Sequence, residues 1–246
     1  RVPGVLHYGN AGSFILHSKG DLMACALIIP AYNPNGRLVA LVQALRPHFA
    51  RILLVDDGSS AGRDIIEAVR PLVSQVLTHP VNRGKGAALK TAFAVLQPDE
   101  DAVTADADGQ HAPEDVLKVA AALQNCRGGI VLGVRRADAK APFRSRLGNG
   151  WSRLLFRLLL GFKVSDTQTG LRGIPAPIIP RLRELPGDRY DYEQVMLLEA
   201  RRLPDRVREV PIRKVYFENN AESHFRPFKD SLRNHLALIR AILHQP

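Results

Sequence analysis

Along the first half of the chain, short unbroken apolar runs alternate with stretches whose apolar positions recur every three or four residues. Residues 24–30 form a short, isoleucine-containing run, the length and content of a buried strand. Residues 36–49 then put Leu38, Leu41, Val42 and Leu45 on one helical stripe. The alternation continues with strands predicted over 51–55, 75–78, 101–105 and 130–134, and helices over 61–73 and 87–96. A further helix opens at Pro113, where proline suits the first turn and Glu114 and Asp115 suit the positive helix end. This order predicts an α/β fold, a Rossmann-like and mostly parallel sheet with helices on both faces.

The second half reads differently. An apolar, arginine-dotted helix is expected over 144–163, then a proline-rich connection and a helix near 190–202. A strand pair around 207–217 and a basic amphipathic helix over about 227–243 complete a C-terminal helical and strand elaboration. Without an internal repeat, the pattern describes a single domain over 23–246. The chain starts at Arg1, and Met23 directly precedes "ACALIIPAYNP". Residues 1–22 are therefore expected to be mostly an N-terminal extension, introduced by cloning or carried from upstream.

Composition changes this picture in two ways. Lys and Arg outnumber Asp and Glu by 34 to 24, a formal charge of +10, which favours anionic partners such as nucleotides, nucleic acid or an acidic membrane face. The two cysteines, Cys25 and Cys126, are too few for a disulfide scaffold and lack zinc-site spacing, as expected of reduced thiols in a cytosolic protein. No apolar run reaches the roughly 18 residues of a membrane span, and "SFIL" is too short for a signal-peptide core.

In open α/β sheets ligands bind beyond the carboxyl ends of the strands, so the residues there are the informative ones. They read "PAYN" (Pro30, Ala31, Tyr32, Asn33), "DDGSS" (from Asp56 and Asp57), "NRGKG" (with Lys85), "DADGQ" (Asp106, Asp108, Gln110) and "GVRR" (with Arg135). "DDGSS" alone is an ordinary turn and helix start. "NRGKG" offers glycines for close backbone approach and a cation, which suits phosphate, yet matches neither a Walker A loop nor a dinucleotide fingerprint. "DADGQ" says more. In extended chain Asp106 and Asp108 point the same way, with Gln110 next in the series if the chain stays extended past Gly109. Two adjacent carboxylates repel unless a cation lies between them, and Mg²⁺ or Mn²⁺ takes such oxygen ligands together with substrate phosphates. A lone DxD is more often an acidic surface turn; several polar strand ends on one edge argue against that here.

The blocks "IIPAYN", "LLVDDGSS", "NRGKGAALKTA", "DADGQHAPED", "DTQTGLRG" and "YDYEQVMLLEA" together resemble the family-2 glycosyltransferases, from about residue 24 to 228. Within that family the sequence resembles the dolichyl-phosphate mannosyltransferase-like, or polyprenyl-phosphate glycosyltransferase, enzymes. The resemblance implies a GT-A fold, a UDP- or GDP-linked sugar donor, a lipid-phosphate acceptor and inversion at the anomeric carbon. It implies nucleotide contacts from Pro30, Ala31, Tyr32, Asn33, Asp56, Asp57, Lys85 and Asp106. Asp106, Asp108 and Gln110 would hold Mg²⁺ or Mn²⁺, and Arg135 would sit at the donor sugar or phosphate. Arg213, Ser223, Arg226 and Lys229 would clamp phosphates. The chain departs from many relatives in carrying "YNPN" where they have "YNE".

The transition state places negative charge on the departing diphosphate, which the metal and basic residues would stabilise. A phosphate acceptor arrives ionised, because its second pKa is near 6, and needs no strong base. A hydroxyl acceptor requires one, for which Asp191 and Glu193 in "YDYE" are candidates; a helix-start role is the alternative for both. The segment "WSRLLFRLLLGF" reads as an interfacial helix or as a core helix with exposed arginines. With the basic last helix, the interfacial reading predicts a cytoplasmic protein, peripheral on the inner face of an anionic membrane. Two other classes fit the sequence less well. A nucleotidyltransferase would need its glycine-rich loop straight after the first strand. A nucleic-acid-binding module would explain the charge but not the acidic strand ends, so no nucleic-acid partner is expected.

Overall fold

The apolar runs become strands because both faces of the sheet are covered, and successive side chains enter opposite cores. In β1 (Cys25–Ala31), Leu27, Ile29 and Ala31 enter one core and Ile28 the other. In β2 (Ile52–Asp56), Leu54 joins the first and Leu53 and Val55 the second. The remaining strands are β3 (Gln75–Thr78), β4 (Asp101–Thr104), β5 (Gly129–Arg135), β6 (Arg172–Ile174) and β7 (Arg206–Ile212). The computed structural model describes residues 22–125, 128–135, 161 and 164–213.

The seven strands form one sheet in the order β3-β2-β1-β4-β6-β5-β7. Among them only β6 runs against its neighbours, pairing antiparallel with both β4 and β5. Its first residue, Arg172, is in register with Thr104, the last residue of β4. The loop that leads into β6 therefore arrives at the edge where the parallel strands end. That single reversal brings "DTQTG" beside "DADGQ".

Helices α1 (Arg37–Leu45), α2 (Arg63–Val69) and α4 (Pro113–Gln124) cover one face. The other face carries α3 (Lys85–Phe93), α5 (Ile179–Glu184) and α6 (Asp191–Glu199). Helix α6 is buried from Tyr192 to Glu199, so its polar residues Glu193, Gln194 and Glu199 lie inside the protein. Burial of each large apolar side chain in these layers stabilises the fold by about 1.5–3 kcal/mol.

The five expected strands and the helix at Pro113 are present. Three expected helices are shorter: α1, α2 and α6 give way to 3₁₀ turns at Arg46–His48, Arg70–Leu72 and Ala200–Arg202. Pro47 and Pro71 sit in the first two of those turns, where their missing N–H groups end the α-helical ladder. The expected strand pair over 207–217 is, as far as Arg213, one strand that pairs in parallel with β5. Strand β6 and helix α5 were not expected. The helices predicted over 144–163, apart from Gly161 with its φ of 75°, and over 227–243 lie outside the described residues, as do Cys126, Arg136 and residues 1–21. Cys25 is a free, buried thiol, pushed up to about 12 by burial and then by Asp101 and Glu100.

Candidate active site

The carboxyl ends of β1 and β2 are stitched to each other. Asn33, at a φ of 49°, donates its N–H to Ser59 Oγ (2.9 Å), and its Oδ1 accepts from the Ser60 and Ala61 N–H groups, each at 2.9 Å. Asp56 Oδ1 accepts from the Ser59 N–H at 3.0 Å. Pro30 and Ala31 are buried within β1, and Tyr32 keeps 38 % of its surface exposed at the edge.

Asp57 faces inward, 3 % exposed. Its Oδ1 lies 2.7 Å from His79 Nδ1 and accepts from the Arg83 N–H at 2.9 Å; its Oδ2 accepts from the Gly84 N–H at 2.7 Å. His79 is held in turn by Thr91 Oγ1, 2.9 Å from Nε2. Asp57 thus fastens the "NRGKG" loop to the end of β2. Gly84 has a φ of 106°, and a Cβ there would collide with the backbone of Asp188. A Cβ on Gly86 would lie 2.6 Å from Tyr192 Cβ, so α3 and α6 meet closely at this point.

That close approach places Lys85, the first residue of α3, between two acids. Its Nζ is 2.5 Å from Asp106 Oδ1 and 2.9 Å from Glu193 Oε1. Asp106 Oδ2 is 3.2 Å from His111 Nε2. Burial alone would raise the Asp106 carboxyl, but Lys85 and His111 outweigh it and hold it well below the usual carboxylate range. Burial likewise opposes the Lys85 charge, and Asp106 and Glu193 reverse that, raising the ammonium. Gly170 makes room for the pair: a Cβ there would come within 2.6 Å of both Asp106 oxygens and Lys85 Nζ. Thr104 Oγ1 donates to the Gly170 carbonyl at 2.7 Å and fixes that glycine over the end of β4.

After Asp106 the chain turns instead of staying extended. Gly109 has a φ of 77°, and Asp108 Oδ1 accepts from the Gln110 N–H at 2.9 Å. The extended series expected to carry Gln110 alongside the two aspartates is therefore broken at the turn. The Asp108 carboxyl is raised, by partial burial first and by the like charge of Asp106 second.

On the far side, Arg135 Nε lies 2.9 Å from Asp166 Oδ2. Thr169 Oγ1 donates to the Gly133 carbonyl at 2.6 Å. The buried Arg172 donates from Nε to the Thr169 carbonyl (2.9 Å), and from its other nitrogens to the carbonyls of Thr167 and Glu193. Burial lowers its pKa. It locks the "DTQTG" loop to α6. Arg213 pairs with Glu114 at 2.6 Å, and its N–H donates to Asp115 Oδ2 at 2.9 Å.

Of the residues singled out from sequence, Lys85, Asp106 and Glu193 converge, with Asp108 two residues along. Asp191 lies at the start of α6, accepting the Arg189 N–H at 3.1 Å. Ser223, Arg226 and Lys229 lie outside the described residues. His79, His111, Asp166, Gly170 and Arg172 were given no role beforehand. His111 was visible in "DADGQH", at the spacing a turn needs to bring it back onto Asp106. Among the described residues no group of three His, Cys, Asp or Glu side chains is arranged to hold a metal by itself.

Comparison with known proteins shows the family to which the chain belongs. The model of the Glycosyl transferase family 2 matches residues 26–175, more than half of the chain. The chain is 34% identical over 218 residues to the UDP-N-acetylglucosamine–dolichyl-phosphate N-acetylglucosaminyltransferase of Methanococcus voltae, covering 78% of this chain and 86% of that one. It is 30% identical over 204 residues to the undecaprenyl-phosphate mannosyltransferase of Micrococcus luteus, covering 77% and 83%. In structure it is similar to glucosyl-3-phosphoglycerate synthase from Mycobacterium tuberculosis, with a TM-score of 0.66, 20% identity, and coverage of 90% of this chain and 79% of that one.

Proposed function

The chain belongs to glycosyltransferase family 2 and has the GT-A fold, and from that premise we propose that it transfers a sugar, with inversion, from a UDP- or GDP-linked donor to a polyprenyl-phosphate-type lipid. The observation that carries this reading is the Asp106–Lys85–Glu193 cluster at the end of β4. It is a charged, partly open centre at the strand edge, where this sheet type binds its ligands. Relatives named for dolichyl and undecaprenyl phosphate, each covered over most of its length, support the acceptor class.

Asp106 and Asp108 are the residues that would hold Mg²⁺ or Mn²⁺. The fit rests on their chemistry: two hard oxygen donors, one of them beneath a glycine that clears space above both its oxygens. Two carboxylates with phosphate and water completing the shell is a usual arrangement for Mg²⁺. When bound, the ion supplies positive charge against the departing diphosphate. Gln110 is a weaker candidate, because the turn at Gly109 takes it out of the series. Tyr32 and Asn33 border the space for the nucleotide. In this reading Asp57 serves the nucleotide by fixing the loop beneath it. Arg135, held by Asp166, would meet the donor sugar or phosphate, and Arg213, Ser223, Arg226 and Lys229 would meet phosphates.

The geometry also favours an acceptor that arrives ionised. Glu193 is 6 % exposed on its side chain and tied to Lys85, and Asp191 is occupied at the start of α6. Glu193 does not stand open to take a proton from a hydroxyl, Asp191 commits one carboxylate oxygen to the Arg189 N–H, and a lipid phosphate needs no such base. No helix among the described residues is long and apolar enough to cross a membrane. In this reading the protein works peripherally, at the inner membrane face.

The test is transfer of radiolabelled sugar from UDP- and GDP-linked donors into undecaprenyl or dolichyl phosphate, with Mg²⁺ or Mn²⁺ and with chelator. Metal-dependent label in the lipid phase is the expected result. Label confined to the aqueous phase with every donor would sink the proposal.

A further inference from the structure

We propose that Lys85 is a tethered counter-ion that holds Asp106 until a diphosphate takes the ammonium over, so that metal binding at Asp106 waits on the nucleotide. This rests on the metal site proposed above.

Lys85 stands where the helix itself disfavours it. It is the first residue of the nine-residue α3, which has no acidic residue in its first turn, and a cation at this end opposes the helix dipole. Its side chain is only 13 % accessible, which adds a desolvation cost. What keeps it there is the pair of carboxylates from β4 and α6, at 2.5 and 2.9 Å. Two further features serve the same contact: Gly170 leaves the gap and His111 holds the second Asp106 oxygen.

The arrangement sets a cation that belongs to the chain between Asp106 and Glu193. A divalent ion arriving alone would share the Asp106 carboxylate with an ammonium only 2.5 Å from one of its oxygens. With the Lys85 side chain only 13 % accessible, water screens that repulsion less than it would at the surface. Glu193 provides the way out. Lys85 can give up Asp106 while keeping its second acid, and its third N–H can then turn to a phosphate oxygen, since an ammonium carries three donors. A diphosphate placed at the positive end of α3 would draw Lys85 away and leave Asp106 to the metal. Metal and nucleotide thereby become coupled through one side chain, and each must tighten the other by the same factor.

The experiment measures free Mn²⁺ by electron paramagnetic resonance during titration of the purified protein, alone and with saturating UDP or GDP. Wild type is expected to bind bare Mn²⁺ weakly and to bind it more tightly with nucleotide. In Lys85→Met, bare Mn²⁺ should bind roughly tenfold more tightly, within the range usual for coupled sites, and the gain from nucleotide should shrink. Lys85→Met leaves Glu193 without its partner, so Lys85→Met/Glu193→Gln is compared with Glu193→Gln in the same assay, where the same tightening is expected. Bare Mn²⁺ affinity that is unchanged or weaker in both comparisons overturns the role of Lys85. Asp106→Asn separates the two levels: if it binds Mn²⁺ as wild type does, the metal site and the counter-ion role fall together. If it loses Mn²⁺ while Lys85→Met leaves affinity unchanged, only the latter falls.

Discussion

Asp57 and Asp106 stand in matching places, each just past a parallel strand and each beside a second aspartate, yet they are satisfied in opposite ways. Asp57 accepts from two backbone N–H groups and lies against a histidine that is itself pinned by a threonine. Two of its partners are parts of the main chain and cannot leave without unfolding the loop, and the third is a buried ring held at its other end. Asp106 is met by the tip of a lysine and by an imidazole, and 28 % of its side chain is open to solvent. Those partners can be exchanged. The difference teaches how to tell a carboxylate that holds the fold from one available for chemistry: by whether its partners are backbone or side-chain tips.

The largest expected effect tests the exchangeable side. Asp106→Asn should lower sugar transfer by roughly 10²–10³-fold, the usual cost of removing an electrostatic contact to the transition state. Circular dichroism should show the fold retained. The stability that Asp106 draws from Lys85 comes from a carboxyl held below its unfolded value. That contribution is full above about pH 4 and fades as the pH falls toward the folded value. The melting difference between wild type and Asp106→Asn should therefore narrow in acid. A variant that keeps its turnover would dissolve the distinction between the two aspartates.

Asp57→Ala is the matching test of the structural side. It strands the Arg83 and Gly84 N–H groups and removes one of the two partners of His79. The expected loss is about 3 kcal/mol of stability, read by chemical denaturation. In the remaining folded protein, KM for the donor should rise more than kcat falls. A stable variant with a collapsed kcat would mean that Asp57 belongs with the chemistry.

Glycines extend the comparison at a smaller scale. Gly58 adjoins Asp57 at a φ of 68°, with the backbone of Val81 and Asn82 within 2.6 Å of where a Cβ would be. Gly58→Ala should cost about 2 kcal/mol in thermal unfolding, because neither the φ nor the backbone contact can relax cheaply. At Gly170 the obstacle is the Asp106–Lys85 pair, which are flexible side-chain ends. Gly170→Ala should cost about 1 kcal/mol or less, and show itself instead as a fall in Mn²⁺-dependent transfer.

How much of this was legible beforehand follows from the same physics. Strands β1, β2, β4 and β5 are buried on both faces, and such strands announce themselves as apolar runs. β6 is three residues, Arg172-Gly173-Ile174, with a glycine at its centre, and carries no periodic signal. Its place in the sheet comes from register with β4 and β5, which no local pattern encodes. The expected helices ran through Pro47 and Pro71, although the prolines marked where they end. At the site, Lys85, Asp106 and Glu193 were each named for a chemical type, but their meeting depends on α3 and α6 closing at Gly86 and Tyr192. The arrest of the extended chain at Gly109 was legible as a glycine but not as a left-handed turn.

The two histidines give the finest test, because each touches one of the two aspartates. His79 bridges Asp57 Oδ1 and Thr91 Oγ1, at 2.7 and 2.9 Å, and is 5 % exposed. His111 touches Asp106 Oδ2 at 3.2 Å and, among the described residues, has no hydrogen-bond partner at Nδ1. Replacing His79 by Gln breaks a two-ended buried contact and should cost about 1–2 kcal/mol of stability while turnover of the folded fraction stays within about twofold. Replacing His111 by Gln removes one longer contact on an exchangeable carboxylate; it should cost about 0.5 kcal/mol or less, and change turnover several-fold by loosening Asp106. Denaturation and steady-state kinetics on the same two preparations separate these outcomes. If both variants lose stability and keep activity, Asp106 is as structural as Asp57, and the side-chain character of its partners has no consequence for chemistry.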